Sequence, residues 1–340
     1  MVSAGGRALL SRSRGPVAFS LALVLVGALP GAAAAADTVA FTLRDPRITE
    51  SSGLARDEAG GIYWTANDSG SQGVVFGVGP DGRVRGTLNY RAQPRDVEAV
   101  AVLGNLLYAA DIGDNGAVRD SVSVYYFTNP RASGLTVTYN SFDFRYPDGP
   151  HDAETLLVDE SGRLSIVTKG LRGGIYVAPR TPSRTAVNEL RRVGDAPALV
   201  TDGVFLPGGT QIALLTYGSV VVVDATTYQQ VSSQPLPALR QAESIAVNLA
   251  GDGLLVGSEG SNSNVYALPL PPGAAATAPS AGPAPTATAQ PGSGQDAAAQ
   301  EDAAPDPRGR GTYLAVGLAG LVALVAGVVV AAVRRPADVR

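Results

Sequence analysis

The chain has 340 residues and is weakly acidic, with 26 lysines and arginines, 30 aspartates and glutamates and a formal net charge of −4. This balance predicts no nucleic-acid partner, because phosphate binding requires clustered basic residues. There is no cysteine, which excludes disulfides, thiolate metal ligands and cysteine nucleophiles. The acidic excess favours a cationic or neutral ligand.

Residues 1–36 carry the pattern of a secretory signal peptide. Arg7, Arg12 and Arg14 precede an apolar stretch over residues 17–29, and a run of small residues ends at Ala36. A basic start, an apolar middle and small residues at the end are typical of segments that direct export and are then cleaved. The mature chain is therefore expected outside the cell.

One short unit recurs five times between residues 37 and 270: an oxygen-bearing residue, a small residue and an apolar run. We call the oxygen-bearing residue of each unit its slot. The slots are Ser52, Glu98, Glu154, Asp202 and Glu243, and they are 46, 56, 48 and 41 residues apart. These spacings match the blade of a β-propeller, which is one four-stranded sheet. The prediction is an all-β, five-bladed β-propeller over residues 37–270, with six blades left open if the 56-residue interval holds another sheet.

Each slot is followed by short β-rich runs that supply the rest of its blade. The runs at residues 136–144 and 189–193 are each expected to form one strand. The last blade has one run fewer than the others, and an unassigned β-rich run lies before the first slot, at residues 38–43. We expect this N-terminal strand to complete the last blade and close the ring, which also removes exposed sheet edges.

Two segments after the propeller indicate a membrane anchor. Residues 271–311 are rich in Ala, Pro, Gly, Ser and Thr and lack aromatic residues, so they predict a disordered stalk. Residues 313–333 form an uncharged run long enough for one transmembrane helix. The arginines within residues 334–340 predict a cytoplasmic tail. The expected location is the cell membrane, with a single pass and an extracellular propeller.

Polar residues also follow the second strand of each blade. If every slot begins an innermost strand, the exit of the next strand lies at the same mouth of the channel, so slots and exits should converge there. The expected ligand face comprises Asn67, Asp68, Asp111, Asp114, Asn115, Lys169, Tyr217 and Glu259.

The units together resemble a known family. Ser-Gly-Leu, Val-Glu-Ala-Val, Ala-Glu-Thr-Leu, Thr-Asp-Gly-Val and Gln-Ala-Glu-Ser-Ile-Ala are similar to the blade signature of the SdiA-regulated family of secreted β-propellers. The motifs at residues 64–70 and 111–115 also resemble uncharacterised secreted propellers of high-GC Gram-positive bacteria. The resemblance implies five blades and a cation, Ca²⁺, near the channel mouth, without an established substrate. Asp202 departs from it, because a small polar residue is expected in the fourth blade.

Four slots could act as metal ligands. Ca²⁺ is held by six to eight oxygen atoms, and the carboxylates of Glu98, Glu154, Asp202 and Glu243 converging on one axis could provide several of them. Four crowded carboxylates would otherwise repel one another and take up protons. The alternative is that each acid accepts hydrogen bonds from strand-end amides and only fixes blade packing.

Two functions follow from these residues. The first is an extracellular module that binds an unidentified ligand or a cell-envelope partner at the acidic face, with calcium shaping that face. The alternative is a metal-dependent hydrolase of lactones, esters or phosphoesters, in which His151 or Glu154 handles protons. The chain has one histidine and no Gly-x-Ser-x-Gly motif, which favours the binding module.

Overall fold

The structure, a computed structural model, describes residues 38–70 and 72–271. The predicted signal peptide, transmembrane helix and cytoplasmic tail lie outside these residues, as does the predicted stalk beyond its first residue. No helix within the described ranges is long and apolar enough to cross a membrane.

The described chain is a ring of five β-sheets. Five strands, one from each sheet, contact one another in a closed circle and form the inner wall of the ring. From the inner strand outward, blade 1 contains β2 (Ser51–Asp57), β3 (Ile62–Asn67), β4 (Gly73–Val78), β5 (Val84–Tyr90) and β9 (Thr136–Val137), and blade 2 contains β6 (Val97–Leu103), β7 (Leu106–Asp111), β8 (Val122–Thr128), β10 (Asn140–Arg145) and β14 (Asn188–Glu189). Blade 3 contains β11 (Ala153–Val158), β12 (Leu164–Thr168), β13 (Gly173–Val177) and β15 (Arg191–Ala196), and blade 4 contains β16 (Val200–Phe205), β17 (Gln211–Thr216), β18 (Ser219–Asp224) and β19 (Gln230–Pro235). Blade 5 contains β20 (Ala242–Val247), β21 (Gly253–Ser258), β22 (Asn264–Pro269) and β1 (Thr38–Thr42). The predicted five-bladed, all-β propeller is therefore confirmed.

The ring is closed by its first strand. β1 pairs antiparallel with β22, with Thr38 opposite Ala267 and Thr42 opposite Asn264. The Thr42 hydroxyl also donates a hydrogen bond to the Asn264 side chain, at 2.8 Å. Residues from the two ends of the described chain thus share one sheet, as the unassigned N-terminal run predicted.

Two predicted strands are each divided between neighbouring blades. The run at residues 136–144 contains β9, which pairs in parallel with β5 of the first blade, and β10, which belongs to the second blade. The run at residues 189–193 is divided in the same way between β14 and β15. Both single-strand predictions are wrong, because a two-residue pairing with the preceding blade leaves no period-two pattern in the sequence.

Five apolar clusters, one between each pair of neighbouring blades, hold the ring together. Successive residues of a strand face opposite sides of its sheet. Leu156 accordingly packs between the second and third blades, whereas Leu157 packs between the third and fourth. Contact between blades 1 and 2 is close at Gly53 (φ +69°), where an added Cβ would lie 2.8 Å from the backbone nitrogen of Val100. A glycine is therefore required there.

Candidate functional site

The slot positions are set by an irregularity shared by the inner strands. In blades 2 to 5 the ladder to the next strand skips one residue near the start of the inner strand, and the skipped residues are Glu98, Glu154, Thr201 and Glu243. A β-bulge of this kind changes the direction in which the side chain of the extra residue points. The fourth slot is therefore Thr201, and the prediction of Asp202 was offset by one residue.

Asp202 has a different environment from the glutamate slots. Its Oδ1 accepts a hydrogen bond from the Gly203 amide at 2.8 Å, and its Oδ2 accepts one from the Ile245 amide at 2.7 Å. The Leu54 amide provides a third hydrogen bond, and all three bonds favour the ionised form, whereas burial raises the pKa of Asp202. The carboxyl group thus joins the inner strands of blades 4, 5 and 1.

Hydroxyl groups occupy the other two slots and make the same type of bond. Ser52 Oγ donates to the backbone carbonyl of Glu98 at 2.7 Å, and Thr201 Oγ1 donates to that of Ala242 at 2.6 Å. Each bond joins an inner strand to the inner strand of the next blade. These two slots therefore serve ring packing rather than presenting charge.

Glu98 forms a buried acid pair with Asp96. The pair shares a side-chain hydrogen bond, and Ser52 Oγ also lies 3.1 Å from Glu98 Oε2. Burial, and then repulsion from Glu154, Asp96 and Asp68, raise the pKa of Glu98 to about 10. The loop residue Gly113 covers the pair, since an added Cβ there would lie 2.4 Å from Asp96 Cγ. Burial raises the pKa of both groups, while their shared hydrogen bond favours the ionised form of Asp96.

Lys169 provides a cation beside the next two glutamates. Its Nζ is paired with Glu154 Oε1 and lies 5.4 Å from the centre of the Tyr217 ring. Burial alone would lower the pKa of Lys169, but Glu154 and, less strongly, Glu243 raise it, so the ammonium stays charged. Burial, and then Glu243, raise the pKa of Glu154 to about 9 in spite of Lys169. Glu154 Oε2 is buried and has no hydrogen-bond partner among the described residues.

A third acidic group lies between the first and last blades. Burial, and then the carboxylates of Glu50 and Glu259, raise the pKa of Asp68 to about 7. Glu50 also accepts a hydrogen bond from the Ser69 hydroxyl. We use the name acidic mouth for Asp68, Asp96, Glu98, Glu154 and Glu243, whose pKa values are all raised and which lie at the start of the inner strands or the exits beside them.

Several predicted ligand-face residues instead hold loops in place. Arg119 donates from Nη1 to Asp111 Oδ1 at 2.8 Å and to the Gly113 carbonyl at 2.7 Å, and its amide donates to Asp114 Oδ2 at 2.7 Å. Asn115 is an exposed neighbour in the same loop. Asn67 is likewise occupied, because its side chain binds backbone groups of the segment before β2. Asp68 belongs to the acidic mouth, and Lys169, Tyr217 and Glu259 remain next to it.

Sequence reasoning missed a second polar position in four of the five units. The residue two places before the slot is Glu50, Asp96, Asp152 or Gln241 in four of the blades, and only the fourth blade has an apolar residue there, Leu199. The first four affect the pKa values of neighbouring acids. An oxygen-bearing residue two positions before four of the five slots is a signal that could have been found in the sequence.

His151 and Glu154, the pair expected of a hydrolase, lie in different environments. His151 Nε2 is 3.0 Å from Asp148 Oδ1 and 3.0 Å from the Tyr176 hydroxyl, and its ring makes an edge contact with Tyr146 at 5.0 Å. Glu154 is paired with Lys169 instead. The described contacts therefore do not join the two residues into one catalytic group.

The arrangement does not fit the predicted Ca²⁺ site. Within residues 38–70 and 72–271, no three acidic or histidine side chains form a group that could hold a metal ion. Glu98 is bonded to Ser52 and Asp96, Asp202 to backbone amides, and Lys169 places an ammonium group beside Glu154.

Comparisons with known proteins add a limited result. No protein-family model matches the sequence, and no curated protein sequence is significantly similar to it. The chain is similar to the structure of a luciferin-regenerating enzyme, with 10% identity, a TM-score of 0.41 and coverage of 68% of this chain and 94% of that one. It is also similar to a gluconolactonase from Xanthomonas campestris, with 17% identity, a TM-score of 0.42 and coverage of 68% and 89%. At these scores neither similarity bears on activity, and the resemblance to the SdiA-regulated family stays a prediction.

Proposed function

We propose that the chain is an extracellular binding module whose acidic mouth binds a positively charged group of a ligand or cell-envelope partner. The main support for this proposal is that the pKa values of the acids at the start of the inner strands are raised. Burial is the main cause at both groups: with repulsion from Glu154 it raises the pKa of Glu98 to about 10, and with repulsion from Glu243 it raises the pKa of Glu154 to about 9. A cationic group bound there would stabilise the ionised carboxylates and release their protons.

The excess of acidic groups over cations within the mouth supports a cationic ligand, because a bound cation would stabilise the ionised form of acids whose pKa values are raised. The mouth has five acids and one partly buried ammonium, that of Lys169, while the guanidinium of Arg119 is paired with Asp111. Tyr217, which is 38% exposed, adds an aromatic ring that already contacts the Lys169 ammonium at 5.4 Å. Aromatic faces attract ammonium groups. An organic ammonium ligand suits these residues better than a bare divalent ion, which requires several free carboxylate oxygens.

The cellular setting belongs to the same proposal. Export by residues 1–36 and anchoring by residues 313–333 would place the propeller on the outer side of the cell membrane. The stalk over residues 271–311 would hold it away from the bilayer and allow contact with the cell envelope.

Calorimetric titration of the full chain with spermidine, a soluble polyamine, tests the proposal. We expect binding at pH 7.5 that weakens as salt is added, because salt screens the attraction. Asp68→Asn should weaken binding by about tenfold, since one carboxylate of the mouth is lost, which corresponds to about 1.4 kcal/mol. Glu189→Gln is the matched control, because Glu189 is exposed on an outer strand.

Equal affinities of the wild type and Asp68→Asn would place binding elsewhere and contradict the proposal. No heat with spermidine would contradict it as well. A parallel titration with Ca²⁺ distinguishes the two kinds of cation: tighter binding of Ca²⁺ than of spermidine, lost in Glu154→Gln, would favour the predicted ion site.

A second candidate, an extracellular hydrolase of lactones, esters or phosphoesters, is favoured by one observation. Asp148 accepts a hydrogen bond from Tyr176 at 2.7 Å and contacts His151 at 3.0 Å, an arrangement that orients an imidazole as a general base. Turnover of δ-valerolactone, p-nitrophenyl acetate and p-nitrophenyl phosphate by the full chain tests it. Loss of turnover in His151→Ala with an unchanged melting temperature would support the hydrolase, whereas no turnover by the wild type would exclude it for these substrates.

A further inference from the structure

The far end of the channel holds a cavity that the acidic mouth does not use. Its volume is about 640 Å³, and residues of all five inner strands line it. The lining comes from the ends of these strands and the turns that follow them, whereas the slots lie at their starts. This volume falls within the range of about 300–1,000 Å³ that is usual for small-molecule sites.

The wall of this cavity is mainly apolar. Ala55, Leu157 and Val247 contribute buried surface, while Val102 and Phe205 are only half-buried. Apolar side chains that remain partly exposed at the end of a strand gain free energy when a ligand covers them. One cavity therefore offers contacts from five blades to an apolar molecule.

One polar side chain in this wall keeps donors for a ligand. Arg56 lines the cavity with a side chain that is 22% exposed. Its Nη2 lies 3.0 Å from the Leu249 carbonyl and 3.1 Å from Glu58 Oε2. A guanidinium group carries five N–H donors, so donors remain for an acceptor on a bound ligand.

Charge at the rim decides which acceptor is suitable. Glu58 pairs with Arg56, and Glu160 adds an exposed carboxylate at the same rim. A ligand carboxylate would meet two negative side chains there, whereas an uncharged carbonyl would not. The rim thus disfavours fatty acids and similar anions.

We propose that this apolar cavity is a second binding site, for an uncharged apolar molecule that carries one carbonyl-type acceptor. The apolar body lies against the inner-strand ends, and the carbonyl accepts a hydrogen bond from Arg56. The site is separate from the acidic mouth, so the two bind chemically different molecules at opposite ends of one channel.

Nile red, an uncharged apolar dye with a carbonyl group, is the probe. Titrated with the full chain, it should become fluorescent and shift to shorter wavelength, and 2-undecanone should displace it. Ala59→Trp places a large ring at the exposed rim of the cavity and should weaken dye binding at least tenfold. Val118→Trp is the matched control, because Val118 is 76% exposed and lies outside the cavity lining.

The acceptor is tested by comparing two competitors. Wild-type protein should bind 2-undecanone about tenfold more tightly than undecane, because only the ketone accepts a hydrogen bond. Arg56→Met should bind the two equally, and its melting temperature reports whether loss of the Leu249 contact disturbs the fold. Equal dye binding by Ala59→Trp and Val118→Trp would overturn the site, and a ketone preference retained by a folded Arg56→Met would overturn the role of Arg56. Spermidine should leave dye binding unchanged, which separates this result from that at the acidic mouth.

Discussion

The two ends of the five inner strands differ in chemistry although the same strands form both. At their starts lie buried acids with raised pKa values, whereas their other ends surround an apolar cavity of about 640 Å³. Each inner strand runs in the same direction through the ring, so residues at equivalent positions gather at the same end. The propeller can therefore vary the chemistry of each end independently.

A second contrast lies within the acidic end itself. Glu98, Glu154 and Glu243 carry acid groups whose pKa values are raised, while Ser52 and Thr201 use their hydroxyls to join neighbouring inner strands. Of the five equivalent positions, three thus provide acid groups and two provide hydroxyl groups that join neighbouring inner strands. Residues that stabilise this end of the ring and residues that only add charge to it should therefore differ in how their substitution changes the free energy of unfolding.

The largest expected effect is at Arg119, the cation that supports the loop over the acidic mouth. Its side chain is 8% exposed and that of its partner Asp111 is 5% exposed. Arg119→Met should lower the free energy of unfolding by about 3–5 kcal/mol, because Asp111 would be left buried without a counter-charge. Urea unfolding measures the loss. The double variant Arg119→Met/Asp111→Leu should recover most of it, and a double variant as unstable as the single one would show that the ion pair is not the cause.

Asp202 should have the next largest effect, although it lies beside the slots and not in one. Asp202→Ala removes the acceptor of three backbone amides, from Gly203, Ile245 and Leu54, and should cost about 2–4 kcal/mol in unfolding free energy. Asp195→Ala is the control, with an expected change below about 0.5 kcal/mol, because Asp195 is 87% exposed. Equal stability of the two variants would contradict the packing role of Asp202.

Much of the fold could be predicted from the sequence because blade spacing and strand patterns are repeated. The five slots, the deficit of one strand in the last blade and the run before the first slot were sufficient for the ring and its closure. The short strands β9 and β14 could not be predicted, since each pairs through only two residues with a blade that precedes it. Pairing of this kind depends on tertiary placement and has no periodicity of its own.

The candidate site was predictable in residue type but not in detail. Glu98, Glu154 and Glu243 were found, but the fourth slot was assigned to Asp202, because a charged residue resembles its neighbours' pattern more closely than Thr201 does. Only the register of the bulge resolves that choice. The cavity at the far end was missed for a different reason: apolar residues such as Phe205 at strand ends are indistinguishable in sequence from core residues.

Thr201 offers a smaller test of the division within the acidic end. Thr201→Val keeps the shape of the side chain and removes the hydrogen bond to the Ala242 carbonyl, so we expect a loss of about 1 kcal/mol in unfolding free energy. Thr201→Ser retains the hydroxyl and should keep the bond. Ser52→Ala removes the corresponding bond to Glu98 and should cost a similar amount. If Thr201→Ser is as unstable as Thr201→Val, the hydroxyl does not join the strands.

Substitution of Asp68 should change the free energy of unfolding least, and it should raise that free energy where the other substitutions lower it. Its pKa is raised from 3.8 to about 7 by burial and by Glu50 and Glu259, so between these values the unfolded chain loses a proton that the folded chain keeps. This group therefore lowers the free energy of unfolding as the pH rises from 3.8 to about 7. Asp68→Asn should match the wild type near the lower value and exceed its stability above the upper one, by less than about 1 kcal/mol because the side chain is partly exposed and screened.

Unfolding measured across this pH range tests the repulsion directly, without a ligand. A gain in stability at high pH, together with weaker spermidine binding, would show that Asp68 reduces stability while it attracts a cation. Such a trade of stability for binding is expected of a functional site and not of a packing residue. If Asp68→Asn is less stable than the wild type at every pH, the carboxyl group supports the fold, and the acidic mouth then extends only over the inner-strand residues.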